Sequence, residues 1–337
     1  MLPATQPRPV ADRPRPVPGS DPVALTPAMA EVLYRAHVFA PATTPLVLYG
    51  ASGTGKTFLA EYIHGLSGRE GGFHAFGVGT MAPQLALDEL FGHVPGAYTD
   101  ARRPRPGRIA TAGSGTLLLD DVQNLDLGVQ KQLLQVLDRK TFSPVGTDRI
   151  VVVGCRFIFA MTEDPDVLMQ EGRLLRDLRY RLRACHIRVP PLGERREEIA
   201  LLAQRALERC PAWTGLDGPT RFTGGALALL EGGEYKGNVR DLEGFVERAY
   251  LEARYVGAEA IRPEHLPDDL CPTLKYVRRG DAASNRRAVE RALQRAGGNQ
   301  AEAARMLGVA RNTVRGVVAS EHSPIVEMGS RARSRRS

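Results

Sequence analysis

Apolar positions change their period along this chain, and the changes predict alternating helices and strands. Met29, Val32, Leu33 and Ala36 recur at helical spacing behind Thr26-Pro27, where Thr suits a helix cap and Pro a first helical position. Leu46-Val47-Leu48-Tyr49 is short and continuously apolar, as a strand covered on both faces would be. The segment Phe58–His64 is compatible with a helix, Phe73–Phe76 with a strand and Ala86–Phe91 with a helix. Leu117-Leu118-Leu119 predicts a strand running into Asp120-Asp121. Val129–Leu137 predicts an amphipathic helix with apolar residues at 129, 133, 134, 136 and 137. Ile150–Val153 and Phe157–Met161 predict two further strands. Strands alternating with helices predict an α/β fold with a parallel sheet covered on both faces. From Glu197 to about Pro267 the pattern is helical throughout, which predicts a small helical lid.

Between the first apolar strand and the helix after it stands Gly50-Ala51-Ser52-Gly53-Thr54-Gly55-Lys56-Thr57, which satisfies G-x-x-x-x-G-K-[ST] at every fixed position. The glycines let successive backbone N–H groups turn inward as an anion nest, and the helix N-terminus adds its free N–H groups. Lys56 is suited to the β- and γ-phosphates of ATP, and the Thr57 hydroxyl to Mg²⁺. Asp120 and Asp121 end an apolar strand, as a second ATP motif does. The first carboxylate would hold the metal, and the second would orient the attacking water.

Composition narrows the class. At 337 residues and 43% hydrophobic the chain has material for two or three domains with real cores. No apolar run approaches the roughly 20 residues that span a bilayer, and the N-terminus is rich in Pro and Arg, with no secretory h-region. Cys155, Cys185, Cys210 and Cys271 are too widely spaced for a metal set and read as free thiols in a reducing cytoplasm. Residues 271–337 hold 14 Lys and Arg against 5 Asp and Glu, a balance of +9 in a chain whose total is +7, so the rest carries −2. That asymmetry predicts a basic C-terminal module for an anionic partner, nucleic acid above all. Four arginines from Arg176 to Arg183 read either as a solvated helix face or as phosphate or subunit contacts.

With these motifs in place the chain resembles the bacterial enhancer-binding proteins, AAA+ ATPases that activate sigma-54 RNA polymerase. The resemblance rests on the order of Gly50–Thr57, Glu89-Leu90-Phe91-Gly92-His93, Leu117–Asp121, Asp177–Leu182, Pro190-Pro191-Leu192-Gly193-Glu194-Arg195 and Gly237-Asn238-Val239-Arg240-Asp241-Leu242. It implies an AAA+ P-loop ATPase with parallel sheet, helical lid and C-terminal three-helix helix-turn-helix module. It also implies a homo-oligomeric ring with ATP between neighbouring subunits. In that ring Arg240 would sense nucleotide from the lid, and Arg181 would reach the neighbour's γ-phosphate. The C-terminus resembles a Fis-type helix-turn-helix. A leading helix would run from Ala288 to Ala296, and Asn299 would cap Gln300–Leu307. Gly308 would make the turn, and Leu307, Val309, Val314 and Val317 would fill the core, with Ala304 letting the helices approach closely. Arg311, Asn312, Thr313 and Arg315 would then face duplex DNA.

Several positions depart from the family pattern. The sigma-contacting loop, Gly-Ala-Phe-Thr-Gly-Ala in the family, is Gly96-Ala97-Tyr98-Thr99-Asp100-Ala101. The Asp-Glu pair is Asp120-Asp121, the Asn that positions the Glu aligns with Gly77, and the Thr-Asn sensor is Thr162-Glu163. One of two interface arginines aligns with Leu175, and the Trp-Pro before Gly-Asn is Tyr235-Lys236. Asp is one methylene, about 1.5 Å, shorter than Glu, and a misplacement of about 1 Å can cost on the order of 100-fold in rate. Tight ATP binding with slow hydrolysis is therefore expected, with Asp121, Thr162 and Arg181 as the catalytic set.

The expected organisation is a disordered Pro-rich arm (1–22), an ATPase subdomain (23–192), a lid (193–270), a linker (271–283), the helix-turn-helix (284–320) and a basic tail (321–337). No sensor domain is expected before Thr26, so the signal would come from a partner protein, expression level or DNA occupancy. Two functional readings follow. One is a cytoplasmic ATP-dependent activator of sigma-54 polymerase that binds promoter-upstream DNA. The other is a DNA-binding regulator whose AAA+ part binds nucleotide and oligomerises without remodelling polymerase. A metabolic kinase would leave the helix-turn-helix and the Pro-Pro-Leu-Gly-Glu-Arg segment unexplained.

Overall fold

The computed structural model describes residues 22–79, 81–97, 101, 103–267, 270, 289, 292–293, 296, 298–307 and 309–319, the side chains of 306 and 317–319 excepted. Outside these residues lie the Pro-rich arm up to 21, loop positions Tyr98–Asp100, Cys271, the 271–283 linker, most of the leading helix at 288–296, Gly308 and the 321–337 tail. The chain forms two units. One runs to Glu198 and takes in Gly237–Arg240; the other holds Ile199–Lys236 and the chain from Asp241 onward.

In chain order the first unit contains α1 (Pro27–Phe39), β1 (Leu46–Tyr49), α2 (Lys56–Ser67), β2 (Phe73–Gly77), α3 (Pro83–Phe91), β3 (Gly92–His93) and β4 (Arg105–Pro106). There follow α4 (Arg108–Thr111), β5 (Thr116–Asp120), α5 (Leu127–Arg139), β6 (Thr141–Phe142), β7 (Val151–Val152), β8 (Arg156–Met161), α6 (Pro165–Gln170), α7 (Arg176–Arg181) and β9 (His186–Arg188). Thr26 caps α1 as the Thr-Pro pair predicts, its Oγ1 accepting from Met29 N at 3.3 Å. Five strands form a sheet in the order β2-β5-β8-β1-β9, every pair parallel.

Side chains alternate across that sheet. Val47, Leu117, Leu119, Phe157, Phe159 and Met161 pack with Leu90, Leu133 and Leu178 of α3, α5 and α7. Leu46, Leu48, Leu118, Ile158, Ala160 and Ile187 pack with Val32, Leu59 and Ile63 of α1 and α2. A strand buried on both faces has no polar positions to spare, which is why these segments read as unbroken apolar runs. Arg156 is a charged exception. It is 1% exposed, and its guanidinium donates to the Ala40, Phe39 and Thr44 carbonyls at 2.7, 2.7 and 3.3 Å, closing the C-terminal end of α1. Burial pushes its pKa down to about 10.

Two expectations change. Only Val151 and Val152 of the segment 150–153 are extended, and they pair antiparallel with β6, apart from the main sheet. A Cβ at Gly154 would lie 2.7 Å from Gly113 O, the chain bends at Cys155, and the central strand begins at Arg156. The arginines of α7 are not a uniform solvated face. Arg179 is buried and forms a two-pronged pair with Asp166 at 2.8 and 2.9 Å, which holds the Asp166 carboxyl below its ordinary range.

The second unit is helical: α8 (Ile199–Thr214), α9 (Gly224–Gly232), the remainder of α10 (Asn238–Tyr255), α11 (Gln300–Met306) and α12 (Arg311–Ala319). Ala203, Leu207, Leu230, Val246 and Tyr250 are buried in it. Between α8 and α9 the helical pattern breaks, and Phe222 makes an isolated parallel bridge with Ile261. Asn299 caps α11, its side chain accepting from Ala301 N and Glu302 N at 3.1 and 3.3 Å.

Candidate nucleotide site

The loops after β1, β5 and β8 emerge from neighbouring strands at the same end of the sheet, the end where open α/β sheets bind ligands. The first is the Gly50–Thr57 loop. Gly50, Gly53 and Gly55 have φ of +149°, +73° and +97°. A Cβ at Gly53 would fall 2.0 Å from Gly237 O, and one at Gly50 would fall 2.3 Å from Val189 O. Neither position admits a side chain; Gly50 and Gly53 are required by close backbone approach, and Gly55 by its positive φ. Gly55 stands at the start of α2, so Lys56 and Thr57 are its first two residues. Lys56 is 7% exposed, and its ammonium donates to Gly50 O and Ala51 O at 2.7 and 3.1 Å. Burial lowers its pKa, and the carboxylates of Asp120 and Asp121 oppose that. A buried ammonium over backbone carbonyls, at the N-terminus of a helix, is suited to a polyphosphate.

Asp120 ends β5, and Asp121 follows in the left-handed region at φ 60° with its N–H on Asp120 Oδ1 at 3.0 Å. Thr162 follows β8 directly. Between Asp121 and Thr162 lies Gln123, whose Nε2 donates to Asp121 Oδ1 at 3.2 Å and to Thr162 Oγ1 at 3.1 Å. The sequence pattern gives no sign of Gln123. Glu163, beside Thr162, accepts from Arg173 at 2.7 Å.

Gly237–Arg240 close the loop from the other side. Asn238 is 3% exposed; its Nδ2 donates to Ser52 O and its Oδ1 accepts from Leu192 N, both at 2.8 Å. Val239 N donates to Gly53 O at 2.9 Å, and Arg240 Nη1 donates to the Ser52 hydroxyl at 3.1 Å. Arg195 is a second residue whose role the sequence hides. It is 4% exposed, donates to Thr54 O at 2.7 Å and lies 3.5 Å from Glu198, whose other oxygen accepts from Leu25 N, Thr26 N and Thr26 Oγ1. The phosphate loop is thus tied to the start of α1.

The remaining candidate residues stand elsewhere. Arg181 pairs with Asp138 at 3.1 Å and donates to Leu137 O at 3.1 Å, with 45% of its side chain exposed. Gly96 and Ala101 stand in the chain between β3 and β4, and Gly96 N donates to Ala101 O at 2.8 Å. The base of this segment is fixed by His93, which bridges Asp88 and Arg103 O, and by Val145 N on Gly92 O at 2.8 Å. In the second unit Arg311, Asn312 and Arg315 are exposed at the N-terminal part of α12 and Thr313 is half-buried, while Ala303, Ala304, Leu307 and Val314 beneath them are buried. Among the described residues no helix is long and apolar enough to cross a membrane.

Comparison with known proteins agrees with this arrangement. The sigma-54 interaction domain family matches residues 23–188, the AAA+ ATPase lid domain matches 193–279, and the Fis family of bacterial regulatory proteins matches 284–315. The transcriptional regulatory protein ZraR of Escherichia coli (strain K12) is 35% identical over 298 residues, 87% of this chain and 67% of that protein. The response regulator protein PilR of Pseudomonas aeruginosa is 38% identical over 226 residues, 67% of this chain and 51% of that one. This chain therefore spans between half and two thirds of the length of these relatives. Among solved structures, NtrX from Brucella abortus in complex with ADP superposes with a TM-score of 0.71 at 26% identity, covering 90% of this chain and 70% of that one. A phosphate loop built this way, under that family match and followed by a lid and a Fis-type module, places the chain among the sigma-54-interacting AAA+ transcriptional regulators.

Proposed function

We propose that this protein binds duplex DNA through α12 and uses ATP bound at Gly50–Thr57 to act on sigma-54 RNA polymerase. The observation that carries the reading is the convergence of Lys56, Asp120, Asp121, Thr162 and Arg240 around one loop in which Gly50 and Gly53 leave no room for side chains. NtrX, a structural relative, has been solved with ADP and with ATP. Lys56 and the loop N–H groups would hold the β- and γ-phosphates, and Arg240 would read the nucleotide from the start of α10. Thr57 and Asp120 would hold Mg²⁺, which neutralises charge on the phosphate oxygens. Asp121 accepts the proton of the attacking water, whose oxygen bonds to the γ-phosphorus as the bond to the β–γ bridging oxygen breaks and ADP leaves.

The half-exposed Arg181 would complete the site of a neighbouring subunit in a ring, and the Gly96–Ala101 loop would carry the nucleotide state to sigma-54. Arginine fingers contribute ~10³-fold or more, so turnover per subunit should rise with protein concentration and the rise should vanish in Arg181→Ala. Turnover that is measurable but flat with concentration would contradict the ring. Asp100 favours a second reading. A carboxylate in place of the family's second loop Gly suits a nucleotide-gated DNA-binding module that does not engage polymerase. Binding of sigma-54 in the presence of ADP–aluminium fluoride separates the two readings.

A further inference from the structure

We infer that Gln123 is a positioning residue for hydrolysis, holding Asp121 and Thr162 in fixed relation through its side-chain amide. The inference rests on the ATPase reading above. Gln123 lies in the single helical turn Val122–Asn124 and is 5% exposed. One NH₂ group carries two protons, and here each has an acceptor: Asp121 Oδ1 at 3.2 Å and Thr162 Oγ1 at 3.1 Å. The opposite amide orientation would set Oε1 against a carboxylate, so chemistry dictates this one.

The consequences fall on the two partners. Asp121 has one oxygen occupied and keeps the other to accept from water. Thr162 accepts from Gln123 and so keeps its own proton to donate toward an anionic oxygen. The rest of the surroundings points the same way. A Cβ at Gly79 would lie 2.8 Å from Asp121 Cβ, so the carboxylate is confined from beneath by backbone. Strand β2 ends at Gly77, level with Asp120 in the sheet, and offers no side chain to hold the carboxylate; a Cβ there would meet nothing within 4 Å. Gln123 supplies the side-chain amide hydrogen bond to Asp121 Oδ1. Its own Oε1 is buried without a hydrogen-bond partner among the described residues. A buried glutamine serving only the fold would satisfy both ends, as the fully buried Gln130 does, with Leu125 O, Arg173 O and Leu175 N each at 2.9 Å. An unsatisfied end is tolerated where the other end has work at a site.

Gln123→Met keeps the volume and removes the amide. Residues that orient a reactive group are worth about 10- to 100-fold. The expected result is a kcat lower by about 10-fold or more with KM for ATP and calorimetric ATP affinity within about 3-fold of wild type. Affinity for ADP–aluminium fluoride should fall by the same factor as kcat. Adding Gly77→Asn, where space is open, should restore part of the loss in Gln123→Met. Unchanged kcat and unchanged analogue affinity would overturn the inference, as would equal losses for ATP and the analogue. If wild type binds no ATP, the ATPase reading itself fails. If wild type binds ATP without turnover, the analogue-to-ATP affinity ratio decides alone. Should Gln123→Met not fold, Gln123→Asn, shorter by about 1.5 Å, is read in the same way.

Discussion

Asn238 Nδ2 donates to Ser52 O at 2.8 Å, fastening the phosphate loop to a residue 186 positions further along the chain. The same side chain accepts from Leu192 N, so one buried amide ties together three separate segments. Asn238→Ala leaves Ser52 O and Leu192 N without these bonds. An unsatisfied buried group costs about 1–3 kcal/mol, so the expected loss is roughly 2 kcal/mol of stability together with weaker ATP binding. A thermal melt and a calorimetric titration check both, and an unchanged ATP affinity would show that the loop holds its shape without Asn238.

Lys56 gives a pH signature. Burial holds its ammonium below the ordinary range in the free protein, and bound polyphosphate raises it. Between those two values the complex carries the proton and the free protein does not. Binding there takes up protons, and affinity falls as pH rises through the free-state value. Calorimetry in alkaline buffers of different ionisation heat should show uptake that is absent at neutral pH. Proton release would contradict the assignment.

Arg311 and Arg315 are exposed on α12 and carry the DNA prediction. Each phosphate contact contributes about 0.9 to the slope of log affinity against log salt. Arg315→Ala should reduce the slope by about 1 if it meets phosphate, while Arg311→Ala should relax sequence discrimination by about 1–3 kcal/mol if it meets a base edge. Truncation before Asp281 should abolish specific binding. Retained specific binding in the truncated protein would place the DNA surface elsewhere.

Arg156 carries a stability prediction independent of function. Replacing it with Met strands two carbonyls at the end of α1 and that of Thr44 in the loop before β1. Partial access of water to them leaves an expected loss of roughly 3 kcal/mol, or about 6–12 °C in Tm for a unit of this size. A shift under 2 °C, on the order of 1 kcal/mol or less, would show that the carbonyls find other donors.

What the sequence makes legible follows from where each constraint is written. The phosphate loop demands glycine for backbone reasons, so Gly50 and Gly55 stand at fixed spacing and can be read directly. The core strands are equally plain, because burial on both faces removes every polar position from Leu46–Tyr49 and Leu117–Leu119. Gln123 is opaque, since its second partner, Thr162, is 39 positions away and meets it only through the pairing of β5 with β8. Arg179 is hidden for a related reason: charge alone does not reveal that Asp166, 13 residues earlier, takes it out of solvent. Ile150–Val153 misleads in the opposite sense. Its β-branched run favours extended backbone, yet Ile150 and Val152 are 71% and 75% exposed, so propensity without burial made only a two-residue hairpin strand.

The central claim is that ATP at this loop drives a change in sigma-54 polymerase. The direct measurement is transcription from a supercoiled template with a sigma-54 promoter. It uses sigma-54 holoenzyme and enough of this protein to bypass a dedicated upstream site. Transcripts should appear with ATP, fail with a non-hydrolysable analogue and fail with Lys56→Ala. No transcript above polymerase alone, at a protein concentration that turns ATP over, would contradict the claim.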